Sequence, residues 1–489
     1  MTSNGTSLKE KFFFMGKTFD DFLLKPQLGV VTSRSQVSLK SKFSKNIELN
    51  LPIVAANMDT VTGPEMCIAL AQEGGIGILP RSDAISIETQ VDWIKKVKRA
   101  ENFIISEPYT VRYDQKLSEA QALMRKRKVG TLLVVNEHQQ MIGILDAKRQ
   151  MRLAEADAGD SLVSEFMTRA DEWGYTQEPL INSLEDAIRI LKHYDKPTLP
   201  WIDENHYIRG LIKMKDIANL MHHGWANKDH NGRLRVGVAI GAKGDYLERA
   251  MALINAGVDV IVMDTAHAHS EVVSQAVTNF QRHFSGFELV VGNIATSEAA
   301  KFYSDRNISA LKVGIGPGRG CRTRLETSFG VPQLEALRSA WSVVGNETPI
   351  ICDAGMSRHG HIALALLAGA SSAMLGSFFA GTDEAPGRVI TDPATKTKFK
   401  LYRGMTSPEA KVDGNNGRDV PKNIEGQTSR VPYVGSVKDI LQSVRQSLQS
   451  AVSYAGEQDL ASARAKISAN PQEYLIPLSR ASQEESYKR

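Results

Sequence analysis

The stretch GIGPGRGCRTR, residues 314–324, sets one of only three cysteines among three arginines, behind a run rich in glycine. Gly314, Gly316 and Gly318 let backbone amides approach an anion, or turn carbonyls, with that of Cys321, toward a monovalent cation. Positive charge at Arg322 and Arg324 favours thiolate over thiol, which makes Cys321 a credible nucleophile. The competing reading is a small residue buried in a tight turn. Cys67, inside a helical pattern, and Cys352, inside a strand, fit that second reading. Asp-Ala-Gly at 353–355 and Gly-Ser at 376–377 each close an apolar run. Amides at such strand ends bind phosphate, and Asp353 is placed to accept hydrogen bonds from a ribose diol, so a nucleoside monophosphate is one reading and tight turns alone the other. His267 with His269 and His359 with His361 form two H-x-H pairs, but neither has an acidic or cysteine residue at metal-site spacing.

These residues need a scaffold that brings distant loops together. Eight short apolar runs end at Asn57, Pro80, Gly241, Thr265, Asn293, Gly316, Gly355 and Ser377, with segments of helical period such as PEMCIALAQEGG and LERAMALINAG between them. Near-continuous apolar strands alternating with helices predict an α/β fold with a parallel sheet, either a (β/α)8 TIM barrel or an open doubly wound sheet. In a barrel the strand ends at Asn57, Asp264, Asn293, Cys321, Asp353 and Ser377 converge on one mouth.

The spacing breaks once, between Pro80 and Arg235, and the gap holds an internal repeat. VGTLLVVNEHQQMIGIL (129–145) aligns without gaps on KPTLPWIDENHYIRGLI (196–212), pairing Thr131 with Thr198 and Gly143 with Gly210. The expected organisation is a first barrel segment over 1–101, an inserted tandem domain over 102–222 with repeats at about 103–155 and 162–222, and the rest of the barrel over 223–489. Read alone, the repeat is compatible with a structural spacer. The basic runs KKVKR (95–99) and RKRK (125–128) read as solvated helix faces.

The 59 basic and 55 acidic residues leave a formal charge of +4, too small an excess over 489 residues to imply a nucleic-acid partner. No run approaches the 18 apolar residues of a membrane span, and the N-terminus is not a secretory signal, so no membrane is expected. Sparse cysteines without a CxxC pair suit a reducing, cytoplasmic compartment. A peroxisome-type organelle is the alternative, although Ser486-Tyr487-Lys488-Arg489 does not match the Ser-Lys-Leu address.

TFDDFLLKP (18–26), AANMDTV (55–61), EGGIGILP (73–80), VGIGPGRGCRTR (313–324), AGTDEAPG (380–387) and YRGM (402–405) resemble the inosine monophosphate (IMP) dehydrogenase and guanosine monophosphate (GMP) reductase family, in order from about residue 17 to 470. The resemblance implies that Cys321 attacks C2 of the purine ring to give a covalent thioimidate. It also implies that Asp353, Gly355, Gly376 and Ser377 hold ribose and phosphate, and that Met58, Gly404 and Met405 line the base beside Tyr402. Asp264, Thr265, Ala266, Asn293 and Gly314 should border the nicotinamide. Arg319 stands where relatives usually carry a serine on the phosphate; an arginine would grip phosphate as a charged fork instead.

Dehydrogenases of this family activate water with an Arg-Tyr pair on a mobile flap. The segment after YRGM has no such pair, since Arg418 is followed by Asp419, and Met405 to Glu425 spans 20 positions, as in the shorter reductase flap. EGQTSRVPYVG and AANMDTV are also more similar to the reductase. The implied activity is reductive deamination of GMP to IMP and ammonia with NADPH, in purine salvage, with Thr323 and Glu425 moving the proton that ammonia needs. One rival is an IMP dehydrogenase with an altered flap, using NAD, with the K+ dependence and mycophenolic acid sensitivity common among dehydrogenases. The other is a catalytically silent nucleotide sensor. The insert resembles the tandem CBS pair of the dehydrogenases, which implies binding of ATP, GTP or GMP and assembly as a homotetramer or octamer.

Overall fold

The eight apolar runs form strands, labelled β1 Ile53–Ala55, β2 Ile76–Leu79, β3 Gly237–Ile240, β4 Val260–Asp264, β5 Leu289–Ile294, β6 Ala310–Val313, β7 Ile350–Asp353 and β8 Ser372–Leu375. They pair in parallel and close in the order β3-β4-β5-β6-β7-β8-β1-β2, so this is a (β/α)8 barrel and not an open sheet. The computed structural model describes residues 8–100, 104–105, 107–127, 129–147, 161–179, 181, 184–214, 225–410 and 425–487.

Successive strand side chains point to opposite faces, which sorts each strand between two cores. Val260 and Val262 of β4 enter an inner cluster with Ala310 of β6 and Ile351 of β7. Ile261 and Met263 face the outer cluster under the helices. Leu49, from the antiparallel pair Ser41–Lys42 and Glu48–Leu49, and Phe43 and Ile47, from the turn between them, join the inner cluster. The same parity places Asp264, two residues after Val262, Lys312, two after Ala310, and Asp353, two after Ile351, in the last interior layer at the C-terminal ends of the strands. Beyond β8, β9 Lys398–Arg403 and β10 Thr428–Pro432 pair antiparallel, with Tyr402 opposite Ser429 and Arg403 opposite Thr428.

The chain divides into two compact units, residues 1–100 with 225–489, and residues 101–224. In the second, the strands Thr131–Val135 and Met141–Asp146 pair with Val134 opposite Gly143. Thr198–Ile202 and Ile208–Lys213 pair with Trp201 opposite Gly210. The two hairpins therefore share one register at an offset of 67 residues, including a shift at Val134/Val135 and again at Trp201/Ile202. Each follows a helix, Leu117–Arg127 or Leu184–Tyr194.

One expectation is corrected. Lys98, in the basic run assigned to a solvated face, is buried, its ammonium 2.5 Å from Asp259 and 3.1 Å from Asp229. On the helix Ile87–Arg99 it stands one turn from Ile94, on the face that also buries Gln90, and two carboxylates offset the cost of burying its charge.

Candidate active site at the barrel mouth

A cavity of about 410 Å³ opens at the C-terminal ends of the strands. It is built by the loop after β6, the ends of β4, β5, β7 and β8, the segment after β1, and both ends of the β9–β10 connection.

The loop after β6 needs glycine where it departs. Gly314 has φ +149°, and a Cβ there would collide with the Asp353 carbonyl. The loop ends in the short helix Thr323–Thr327, and Cys321 forms an isolated antiparallel bridge with Gly426. The Arg322 amide donates to the Glu425 carbonyl at 2.7 Å and the Gln427 amide to the Gly320 carbonyl at 3.0 Å. Gly404 closes the other side: a Cβ on it would stand 2.5 Å from the Gly320 carbonyl. This backbone stitching carries Glu425, 104 positions away from Cys321 in sequence, to the nucleophile. The Cys321 thiol donates to Thr323 Oγ1 at 3.1 Å, and Thr323 Oγ1 donates to Glu425 Oε2 at 2.7 Å. The three side chains form one proton path, from sulfur through hydroxyl to carboxylate, and all three face the cavity.

The arginines near Cys321 are engaged otherwise than their sequence position suggested. Arg322 pairs with Glu326 at 2.7 Å, and Arg324 donates to the Ile315 and Val331 carbonyls. Arg324 still interacts electrostatically with Cys321 while burial lowers its own pKa. Arg319 is exposed, donates to the Arg430 carbonyl at 3.5 Å, and does not line the cavity. Gly318 spends its carbonyl on the Cys321 amide at 3.0 Å, although Gly316 and Gly318 do line the cavity.

Of the other sequence-derived residues, Met58, Asp353, Gly376, Tyr402, Gly404, Met405, Asp264, Thr265, Ala266, Asn293 and Gly314 all line the cavity. Gly355 and Ser377, two residues past the ends of β7 and β8, are not among the residues that line it. Arg403 grips Asp59, with 2.6 Å from Nη2 and 3.1 Å from Nε to Oδ2, while the Asp59 amide lies 3.4 Å from Met405 Sδ. Burial, and then the charge of Asp353, push the Tyr402 phenol up to about 12, so it stays protonated. Arg418 and Asp419 lie outside the described residues.

Sequence reasoning missed Lys312 and Gln333. Lys312 is 2% exposed, yet its ammonium meets Asp264 Oδ1 at 2.6 Å, Asp353 Oδ2 at 2.8 Å and the Asn293 side-chain oxygen. Burial disfavours its charge, but the two carboxylates outweigh that and hold its pKa above the ordinary lysine range. The signal was present: a lone lysine two residues after Ala310 shares its inward parity. Gln333 Nε2 ties the Val313 carbonyl, 2.8 Å away, to that of Asp353 at 3.2 Å, holding β6 and β7 at a fixed spacing. The histidines have other partners: His269 packs on Phe302 with ring centres 5.0 Å apart, and His359 bonds Ser447 at 2.9 Å. Among the described residues no three His, Cys, Asp or Glu side chains are grouped to hold a metal, and no helix is long and apolar enough to cross a membrane.

Residues 16–488 match the IMP dehydrogenase / GMP reductase domain. The chain belongs to that family. It is 40% identical over 455 residues to an inosine-5′-monophosphate dehydrogenase of Nitrosopumilus maritimus, covering 91% of this chain and 93% of that protein. It is also 40% identical over 461 residues to an inosine-5′-monophosphate dehydrogenase of Aquifex aeolicus. Among solved structures it resembles a Cys-to-Ala variant of Trypanosoma brucei GMP reductase in complex with guanosine 5′-monophosphate, with TM-score 0.89 and 34% identity over 96% of this chain and 97% of that one. The same enzyme in complex with guanosine 5′-triphosphate gives TM-score 0.79 and 32% identity. The protein is therefore an oxidoreductase of purine nucleotides that works with a nicotinamide cofactor.

Proposed function

We infer that this family member is a GMP reductase, converting GMP to IMP and ammonia with NADPH. The observation that carries the reading is the unbroken path from Cys321 through Thr323 to Glu425 inside the cavity. Cys321 adds to C2 of the purine, and its thiol proton passes through Thr323 to Glu425. The same path then returns a proton to the 2-amino group, which leaves as ammonia and gives a thioimidate on Cys321. When bound, the cofactor supplies the hydride that C2 gains as the bond to sulfur breaks. Asp264, with Thr265 and Ala266 beside it, offers a partly exposed acceptor suited to the carboxamide of a nicotinamide. Asp353 would hold the ribose and Gly355, Gly376 and Ser377 the phosphate, while Met58, Met405 and Tyr402 would cover the base.

The dehydrogenase reading is favoured by the names of the 40%-identical relatives. Overall identity reports mainly the shared barrel, whereas the choice of reaction lies in a few groups, and the flap sequence offers no Arg-Tyr pair for water activation. The inserted unit would be the nucleotide-sensing CBS pair, and tetramers, or octamers built from them, would be the working assembly. Nicotinamide absorbance of the purified protein tests the reading. Loss of NADPH with GMP, and no reaction of IMP with NAD, supports the reductase. NADH formation from IMP, with GMP inert, refutes it.

A further inference from the structure

Lys312 contributes nothing to the proton path, and a lysine in the interior layer of a barrel is costly unless its charge is paired and hydrogen-bonded. The charged and titratable groups facing it come from different strands: Asp264 from β4 and Asp353 from β7, with the Asn293 amide between them on β5. Asn57 bonds the far oxygen of Asp264 at 2.8 Å, and Asn293 Nδ2 bonds Asp353 Oδ2 at 2.8 Å. Tyr402, from β9, is electrostatically coupled to Asp353. One buried ammonium thus bridges the carboxylate on the nucleotide side to the carboxylate on the dinucleotide side.

We propose that Lys312 is a positioning residue that couples the two subsites: as the shared counter-ion of Asp353 and Asp264, it makes occupancy of one subsite set the geometry and charge of the other. This rests on the assignment of Asp353 to ribose and Asp264 to nicotinamide, which the reductase and dehydrogenase reactions share. When a ribose diol donates to Asp353, that carboxylate draws less on the lysine, and the ammonium shifts its weight to Asp264. Coupling of this kind is reciprocal, so each ligand changes the affinity of the other by the same factor.

Calorimetry on the full-length protein, with GMP and NADP+ and again with IMP and NAD+, measures each ligand alone and in the presence of its partner. The wild type should show a coupling factor of about five or more. Lys312→Met and the shorter-reach neutral variant Lys312→Gln should bring the factor to near one. Without the cation, Asp353 and Asp264 face each other as like charges in a partly buried layer, which disfavours having both ionised. Nucleotide binding by these variants should therefore weaken more steeply than that of the wild type as pH falls from 8 to 5. Lys312→Arg should restore the coupling. A wild type with a factor of one overturns the proposal without any variant, and so does a neutral variant that keeps the factor or loses affinity equally at every pH. Coupling seen only with IMP and NAD+ would refute the reductase reading while leaving the role of Lys312 intact.

Discussion

Replacing Glu425 by Gln should separate chemistry from binding. The amide keeps an oxygen that can accept from Thr323 Oγ1, now 2.7 Å from the carboxylate, so the loop geometry survives and the substitution costs at most about 1 kcal/mol of hydrogen bonding. What disappears is the group that takes up and returns a proton. General acid–base catalysis contributes a factor of about 10² to 10⁴, equivalent to roughly 3–5 kcal/mol of barrier. Rapid-quench measurement of ammonia release in a single turnover, beside calorimetric binding of GMP, reads both quantities. The expected result is a fall of about a hundredfold or more in ammonia release, with GMP affinity changed by less than about tenfold. Thr323→Val should cost as much, because Thr323 is the middle of the path, and the double variant should be no slower than either single one. Equal losses in chemistry and binding, or additive losses in the double variant, would refute the relay.

Three further outcomes are expected. Arg403→Met strands Asp59 in a partly buried position; it should lower stability by about 1–3 kcal/mol and raise the nucleotide KM more than it lowers kcat, and thermal melts with steady-state kinetics check both. His361 Nε2 faces both the Arg358 guanidinium at 2.7 Å and Asp20 Oδ1 at 3.1 Å, and burial, then the Arg358 charge, lower its pKa to about 4. The unfolded chain takes up that proton below about pH 6.5, so stability should be full above 6.5 and decline by up to about 3 kcal/mol as pH falls to 4; a His361→Gln protein with the same decline in unfolding midpoint would contradict this. GTP, ATP or GMP at the inserted unit should change turnover or sedimentation of the full-length protein, and no change in either with all three would exclude a sensor.

The barrel was legible because a parallel strand covered on both faces must be apolar throughout, and eight such runs stood in order. The inward parity of those strands was legible too, but the site residues were read only from the strand ends. Lys312 was therefore passed over as part of an apolar run, although Ala310 fixes its direction. The arginines around Cys321 were legible only in part: Arg324 does interact electrostatically with Cys321, but side-chain partners are set in three dimensions, where Glu326 claims Arg322 and the Ile315 and Val331 carbonyls hold Arg324. Lys98 shows the same limit, since its partners Asp229 and Asp259 come from the far side of the inserted unit in sequence. Glu425 could be named only through the family resemblance, because no local pattern announces a glutamate carried to Cys321 by two backbone hydrogen bonds.

The most direct test of the central claim is the mass of Cys321 itself during turnover. Protein quenched while consuming GMP and NADPH, then digested, should yield the Cys321 peptide carrying the nucleotide less the elements of ammonia, with Cys67 and Cys352 unmodified. A Cys321 peptide that stays unmodified while IMP accumulates, or an adduct on either buried cysteine, would contradict the covalent route.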